Sequence, residues 1–570
     1  MPSYSRSAGL TLSLNRDNFL LMKFLKVILN SLITGFFFSS LLALLIYDIN
    51  INLDIQPLFF GHLSLFLLIT YGLVVSLLSV IFFFILQFIF GSNFKIAFVS
   101  PSFLTLSFSL SLALFLLIFR ANVDYFHSFF SEETQSLLNK QFITFVFLVI
   151  LGFICFYSIR LYRRNAVFLL VYFLAFFAGM YYVILQRLNY PQPQKTERVA
   201  NLEAKELDKK ITIIGLDGLS FDVMIPLINE EKLPNFAWLM EEGSWGKLQN
   251  FSPTEPVIQR ASFASGKLPS KHRQLSLYRY RVMNSDQEFE VSPRFVFFGQ
   301  LLRTSLLSRS LTSPSSRSKD IWSVFEGNKT PHYVKDWPYY KSPPDPMPKA
   351  ETRFNLIFED LKSDYSALFS RVRRAFFMDC AYEDQVMKAK NEKQPQIVYF
   401  VLNGLNEVER FFYKYTFPDL FGDIEQDEIN RYSSVIERYY QFYDDIIGKY
   451  MASRKEDELL VVYSSHGIEP LPLWKRVTEW LFGSAEISAY HELAPDGVVF
   501  FYGKEIRAGR NIEQMRLIDI APTLLNYLGL PIGKDMDGIV FSAIFRDEFK
   551  MENPVLYISS YEEHTIKQPD

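Results

Sequence analysis

The 570 residues predict two architectures in one chain. An N-terminal α-helical membrane domain of about five spans precedes an α/β domain with a doubly wound, mostly parallel sheet. Three observations carry that reading. Hydrophobic residues make up 49% of the chain and phenylalanine alone numbers 57, with the excess lying before residue 186. From Ile211 onward, short β-rich runs alternate with amphipathic helices. The run Ile211–Ser220, ITIIGLDGLS, ends abruptly in Gly215, Asp217 and Gly218, as a buried strand does when it delivers a carboxylate to the carboxyl edge of a sheet. Alone, that run is equally an ordinary strand and Asp-Gly turn. Three further apolar strands that end in polar or ionisable residues favour the edge.

The spans come first. Val27–Tyr47, Leu63–Phe90, Pro101–Phe119, Ile143–Ile159 and Ala166–Leu185 are apolar runs near the roughly 20 residues that cross a bilayer. The first is too long, and too poorly followed by small residues, to read as a removable leader. Arg6, Arg16, Lys23 and Lys26 precede it, and Arg160, Arg163 and Arg164 fill the fourth connection, whereas Asp48–Gln56 holds no Lys or Arg. The positive-inside rule then predicts a cytoplasmic N-terminus and an extracytoplasmic C-terminal domain. The five runs hold no charged residue, which favours an anchor over a transporter. A net charge of −3 gives no reason to expect a nucleic-acid partner. Cys155 and Cys380, the only cysteines, build no disulfide framework.

Residues 1–186 are thus the membrane domain, and 187–210, polar and with Pro191 and Pro193, a stalk. The α/β domain runs over 211–548, with a cap insertion at about 273–396 and a tail at 549–570. Expected strands are Ile211–Leu216, Ile397–Leu402, Leu459–Tyr463 and Val498–Tyr502; expected helices include Ile225–Glu242, Glu428–Met451 and Met515–Leu528. The Ser- and Arg-rich 303–318 segment is expected to be a mobile loop. Trp337, Tyr339 and Tyr340 are candidates to shape a substrate pocket, while Trp322 is expected in packing.

Five ordered segments resemble one family. GLDGLSFDVMIPLINEEKLPNFAWLMEEGSWGKL is similar to its first strand, helix and turn, and PTEPVIQRASFASGKLPSKH, with Gly266 and Pro269, to its nucleophile segment. DIWSVFEGNKTPHYVKDWP looks like its second α/β unit, YSSHG like its Asp-His-Gly motif, and DIAPTLLNYLGLPIGKDMDG like its C-terminal helix and loop. Over about 211–545 the chain resembles the alkaline phosphatase superfamily, in its type I phosphodiesterase/nucleotide pyrophosphatase branch, with the membrane-bound ethanolamine-phosphate transferases nearby.

That resemblance implies an alkaline phosphatase-like fold and a phosphoryl transfer in which one or two cations, usually zinc, activate a Thr or Ser hydroxyl. By position, Asp217 matches the first metal-binding aspartate and Thr254 the nucleophile, with Ser252 as the alternative. His466 matches the histidine of the Asp-His pair and His491 the late histidine of the family. Asn406 and Arg410 stand where the family has an aspartate and a histidine, and Ser465 where it has the Asp of the Asp-His pair. Asn and Ser are weak neutral ligands and Arg binds no cation. Two readings follow. In one, a single divalent cation, zinc by resemblance, sits on Asp217, Thr254 and His466, and Arg410 clamps the phosphate or sulfate as basic groups do in lipoteichoic acid synthases and sulfatases. In the other, no metal remains and the domain is an inactive, membrane-tethered binding or scaffolding protein. Placement at a bilayer points to a lipid headgroup, lipid-linked glycan or envelope polymer as ligand.

Overall fold

The computed structural model describes residues 7–90, 96–162, 165–191, 208–295, 298–311, 318–335, 348–422, 424–492 and 494–562. Arg6, Arg163, Arg164, Pro193, Trp337, Tyr339 and Tyr340 lie outside those residues, as do most of the expected stalk and the 312–317 part of the expected loop. The chain forms two units: residues 1–192 with 275–313, and residues 193–274 with 314–570.

The first unit is built on α1 (Ser7–Ile49), α2 (Pro57–Leu67), α3 (Leu73–Phe90), α4 (Pro101–Tyr125), α5 (Glu132–Tyr162) and α6 (Asn165–Leu188). A π-turn, Leu68–Gly72, joins α2 to α3, so the described residues hold five helices able to cross a membrane, as the apolar runs predict. Gly35 and Gly72 permit close packing of α1 there, since a Cβ on Gly72 would lie 2.8 Å from the Gly35 carbonyl oxygen. The helices outrun the apolar segments. In particular α1 continues through Asp48 to Ile49, so a residue expected in a loop is buried in its last turn, where Gln141 Nε2 and the Tyr190 hydroxyl each donate to Oδ1 at 3.3 Å. Arg187 caps the same helix end, donating to the carbonyls of Tyr47, Asn50 and Leu53 at 2.9, 3.1 and 2.7 Å.

A small antiparallel sheet, Tyr278–Val282 with Glu288–Phe289 and Leu307–Leu311, belongs to this same unit. Two helix-end asparagines hold the segment that follows its second strand. Asn50 Oδ1 accepts from the Glu290 and Val291 amides at 2.9 and 2.6 Å, and Asn122 Oδ1 from the Arg294 amide at 2.7 Å. The expected 303–318 loop is therefore partly strand, because Leu307–Leu311 pairs along Tyr278–Val282.

The second unit carries the sheet of β1 (Lys210–Leu216), β2 (Ser244–Gln249), β3 (His332–Lys335), β4 (Ile397–Leu402), β5 (Glu458–His466), β6 (Asp496–Tyr502) and β7 (Arg510–Arg516). Their order is β7-β2-β6-β5-β1-β4-β3, parallel except for β6, which runs antiparallel to both neighbours. Alternation along β1 sends Ile211 and Ile213 to one apolar core and Ile214 and Leu216 to the other, so helices cover both faces. All four expected strands are present. Three expected helices are not continuous as drawn. Ile225–Glu242 is α7 (Phe221–Asn229) and α8 (Pro234–Glu242), separated by a turn with Glu231 at φ 59° ahead of helix-starting Pro234. Glu428–Met451 likewise divides into Gln426–Tyr432 and Val435–Ser453. Met515 and Arg516 belong to β7, paired with Leu248 and Gln249 of β2, and the helix begins only at Ile520. Trp322 packs 4.7 Å from the Tyr399 ring, a core role as expected.

Candidate functional site

The carboxyl ends of β1, β4 and β5 are adjacent, and each delivers one of the predicted residues there. Asp217 follows β1, its amide bonded to the Leu402 carbonyl at 3.1 Å. Gly218 adopts φ 103°, a left-handed conformation that suits glycine, and donates its amide to Ser464 Oγ at 3.1 Å. The turn is tight, because a Cβ here would lie 2.6 Å from Glu409 Oε2 and 3.1 Å from the Asn406 amide nitrogen. Asn406 lies in the first turn of α9 (Gly404–Thr416), which leaves β4 directly; its Nδ2 donates to Asn403 Oδ1 at 3.2 Å and its Oδ1 is buried without a partner.

Ser465 and His466 close β5, both buried. His466 Nδ1 lies 2.9 Å from the Gly467 carbonyl, which can only accept. In the neutral ring the proton is therefore on Nδ1, and Nε2 is buried with no partner. The His491 ring stacks on it at 5.0 Å, with Nδ1 also unpartnered. Burial, helped by His466 and by the charges of Arg410 and Lys475, pushes His491 down to about 3 and keeps it neutral. Thr254 is buried and donates its hydroxyl to the His491 carbonyl. Ser252, the alternative, is half-buried just before Pro253. Arg410 lies one turn beyond Asn406; its nearest acid is Glu407 at 3.7 Å and its side chain is 34% exposed.

Two residues of this site were not among the predicted ones. Arg260, on the helix Pro256–Ser265, donates Nη2 to Asp217 Oδ2 at 2.7 Å, with both side chains nearly fully buried. Glu409 is wholly buried beside Gly218, accepts from the Tyr440 hydroxyl at 3.3 Å, and is pushed well above the carboxylate range by burial. Each has a signal in the sequence. Glu409 stands among Leu405, Val408 and Phe412 on the apolar stripe of its helix, and Arg260 interrupts a short helix between Ile258 and Phe263.

The donor set does not fit a two-cation centre. Asp217 is bound to a guanidinium, Asn406 and Ser465 carry no charge, and only two imidazole nitrogens are left over. Among the described residues no three His, Cys, Asp or Glu side chains gather to hold a metal.

Residues 211–518 match the profile of the type I phosphodiesterase / nucleotide pyrophosphatase family, more than half of the chain. The chain belongs to that family. It is thereby a member of the alkaline phosphatase superfamily, as its motifs imply. Similar solved structures include murine ectonucleotide pyrophosphatase/phosphodiesterase 5, both as an inactive variant in complex with AMP and in a second structure. Each is 12% identical, covers 56% of this chain and 95% of its own, and has a TM-score of 0.35. No curated protein matches. Type I phosphodiesterases are typically metal-dependent, and the Asp217–Arg260 pair departs from that habit.

Proposed function

We propose that this chain is a membrane-anchored phosphodiesterase-family protein that binds a phosphate or sulfate ester without metal-dependent turnover. The observation that carries this reading is the buried Asp217–Arg260 ion pair, since the carboxylate a first cation needs already faces a fixed positive charge. Arg410, with its side chain 34% exposed, supplies the attraction for an anion. The Thr254 hydroxyl donates its proton to the His491 carbonyl, an acceptor that cannot take it up as a general base would. Placement beside a bilayer favours a lipid headgroup, lipid-linked glycan or envelope polymer as the ester.

One observation favours a second reading, a single-cation enzyme with Thr254 as nucleophile. The Nδ1–Gly467 hydrogen bond orients His466 so that Nε2 presents its lone pair, as a carbonyl partner orients a metal-ligating imidazole.

Metal analysis of the purified full chain, with hydrolysis of an activated phosphodiester, separates the two. The expected result is well under one divalent cation per chain and a background rate that Thr254→Ala leaves unchanged. Arg260→Ala, by freeing Asp217, is expected to raise cation occupancy. About one cation per chain, with a rate abolished by Thr254→Ala in a folded protein, would establish the enzyme instead.

A further inference from the structure

The helix Leu473–Phe482, LWKRVTEWLF, is inverted relative to an ordinary surface helix. Its apolar residues recur at i, i+1, i+4, i+7 and i+8, one face of a 3.6-residue period, and that face points away from the domain. Leu473 is 75% exposed, Trp480 71% and Trp474 61%, with Val477 and Leu481 more than half exposed. Leu420, whose carbonyl accepts from Arg476 Nη2 at 2.9 Å, is exposed as well. The polar residues are spent inward. Lys475 pairs with Glu492 and lies 4.0 Å over the Tyr490 ring; Arg476 donates Nε to the Leu471 carbonyl at 2.6 Å and covers the Phe421 ring. Glu479 accepts from the Ser484 amide.

An exposed contiguous apolar face with two outward tryptophans, on a helix whose polar face is consumed by its own domain, marks a site that meets an apolar partner or medium. We infer that this helix is an interfacial membrane helix, with Trp474, Trp480 and the flanking leucines seated in the headgroup–acyl boundary of a lipid bilayer. Two observations select lipid over a protein partner. Tryptophan and leucine on one face of a short helix is the composition that partitions to that boundary. The described residues also include five helices able to cross a membrane, so a bilayer belongs to the chain's own surroundings. The helix is tied to the candidate site through Glu492 and Tyr490, the two neighbours of His491 in the chain, so seating it brings the lipid headgroup layer to the His491 edge of that site. The inference stands whether or not the site turns over its ligand.

The test is tryptophan quenching in the full chain reconstituted into phosphatidylcholine vesicles with lipids brominated at shallow acyl positions. Trp474 and Trp480 are two of six tryptophans, so a measurable fraction of the emission is expected to be quenched. In W474F/W480F that fraction falls, while the melting temperature stays within a few degrees of the parent because both side chains are exposed. Trp480→Glu, which leaves Trp474 as a reporter, is expected to reduce quenching of the remaining emission. Equal quenching in parent and W474F/W480F overturns the inference. So does a dimer in detergent that dissociates in the same variant without any lipid quenching, which would assign the face to a second copy.

Discussion

Three donors converge on Asp379 Oδ2: the hydroxyls of Tyr439 and Tyr443, each at 2.8 Å, and the Gly404 amide at 3.1 Å. Its other oxygen is buried without a partner, and burial pushes the carboxyl from its ordinary 3.8 up to about 7. Asp217 is as deeply buried but faces Arg260, and Glu458 faces Lys390 at 2.6 Å. Hydrogen bonds satisfy the geometry of Asp379 but offset too little of the cost of desolvating its anion. Between pH 3.8 and about 7 the folded chain therefore holds a proton at Asp379 that the unfolded chain has released. Stability from this group is complete below that window and declines as pH rises through it, by about 4 kcal/mol if the whole shift is realised. Glu409 slopes the same way, so a difference measurement is needed. Asp379→Asn, which cannot ionise, is expected to gain on the parent in melting temperature as pH goes from 4 to 7 and to track it beyond; parallel curves would exclude the effect. The strand-end positions of Asp217, Ser465 and His466 were legible, since each apolar run stops there at a polar residue. What Arg260 does was not. Nothing local in Pro256–Ser265 says which carboxylate its guanidinium meets across 43 residues of chain.

At the scale of elements, agreement follows burial. β1, β4, β5 and β6 are covered on both faces, and their near-continuous Val, Ile, Leu and Phe runs announce them. β2, SWGKLQ, alternates buried and more exposed residues, while β7, RNIEQMR, buries only Ile512 and Met515; with their Gly, Lys, Gln and Arg, only the pairing of β2 to β6 and of β7 to β2 makes them strands. The asparagine clips are equally invisible in advance, each joining residues far apart in sequence. Asn50→Ala with Asn122→Ala leaves three backbone amides without their acceptors, at roughly 1–3 kcal/mol for each that stays buried. Limited trypsin digestion of the full chain should then cut faster at Arg281 or Arg294 than in the parent; an unchanged rate would mean the segment is held by other contacts.

For the whole molecule, we propose from the five span-length helices among the described residues and from the basic residues near their ends that the N-terminus is cytoplasmic and the α/β domain extracytoplasmic, which reporter fusion after Gln186 tests. An externally active reporter is expected; a cytoplasmically active one would remove the case for an envelope or outer-leaflet ligand.

The amino-acid sequence by itself determined the five apolar helices, the α/β order and the family, because hydrophobic length, alternation and short motifs are local properties that survive without knowing any partner. Tertiary structure alone decided three things: that Arg260 faces Asp217, that residues 275–313 belong with the helical unit, and that Leu473–Phe482 turns its apolar face outward. Each depends on which long-range neighbour a residue meets. A guanidinium, an asparagine amide or a tryptophan reads the same in sequence whatever lies against it, and only the fold supplies the counter-charge, the amide or the solvent.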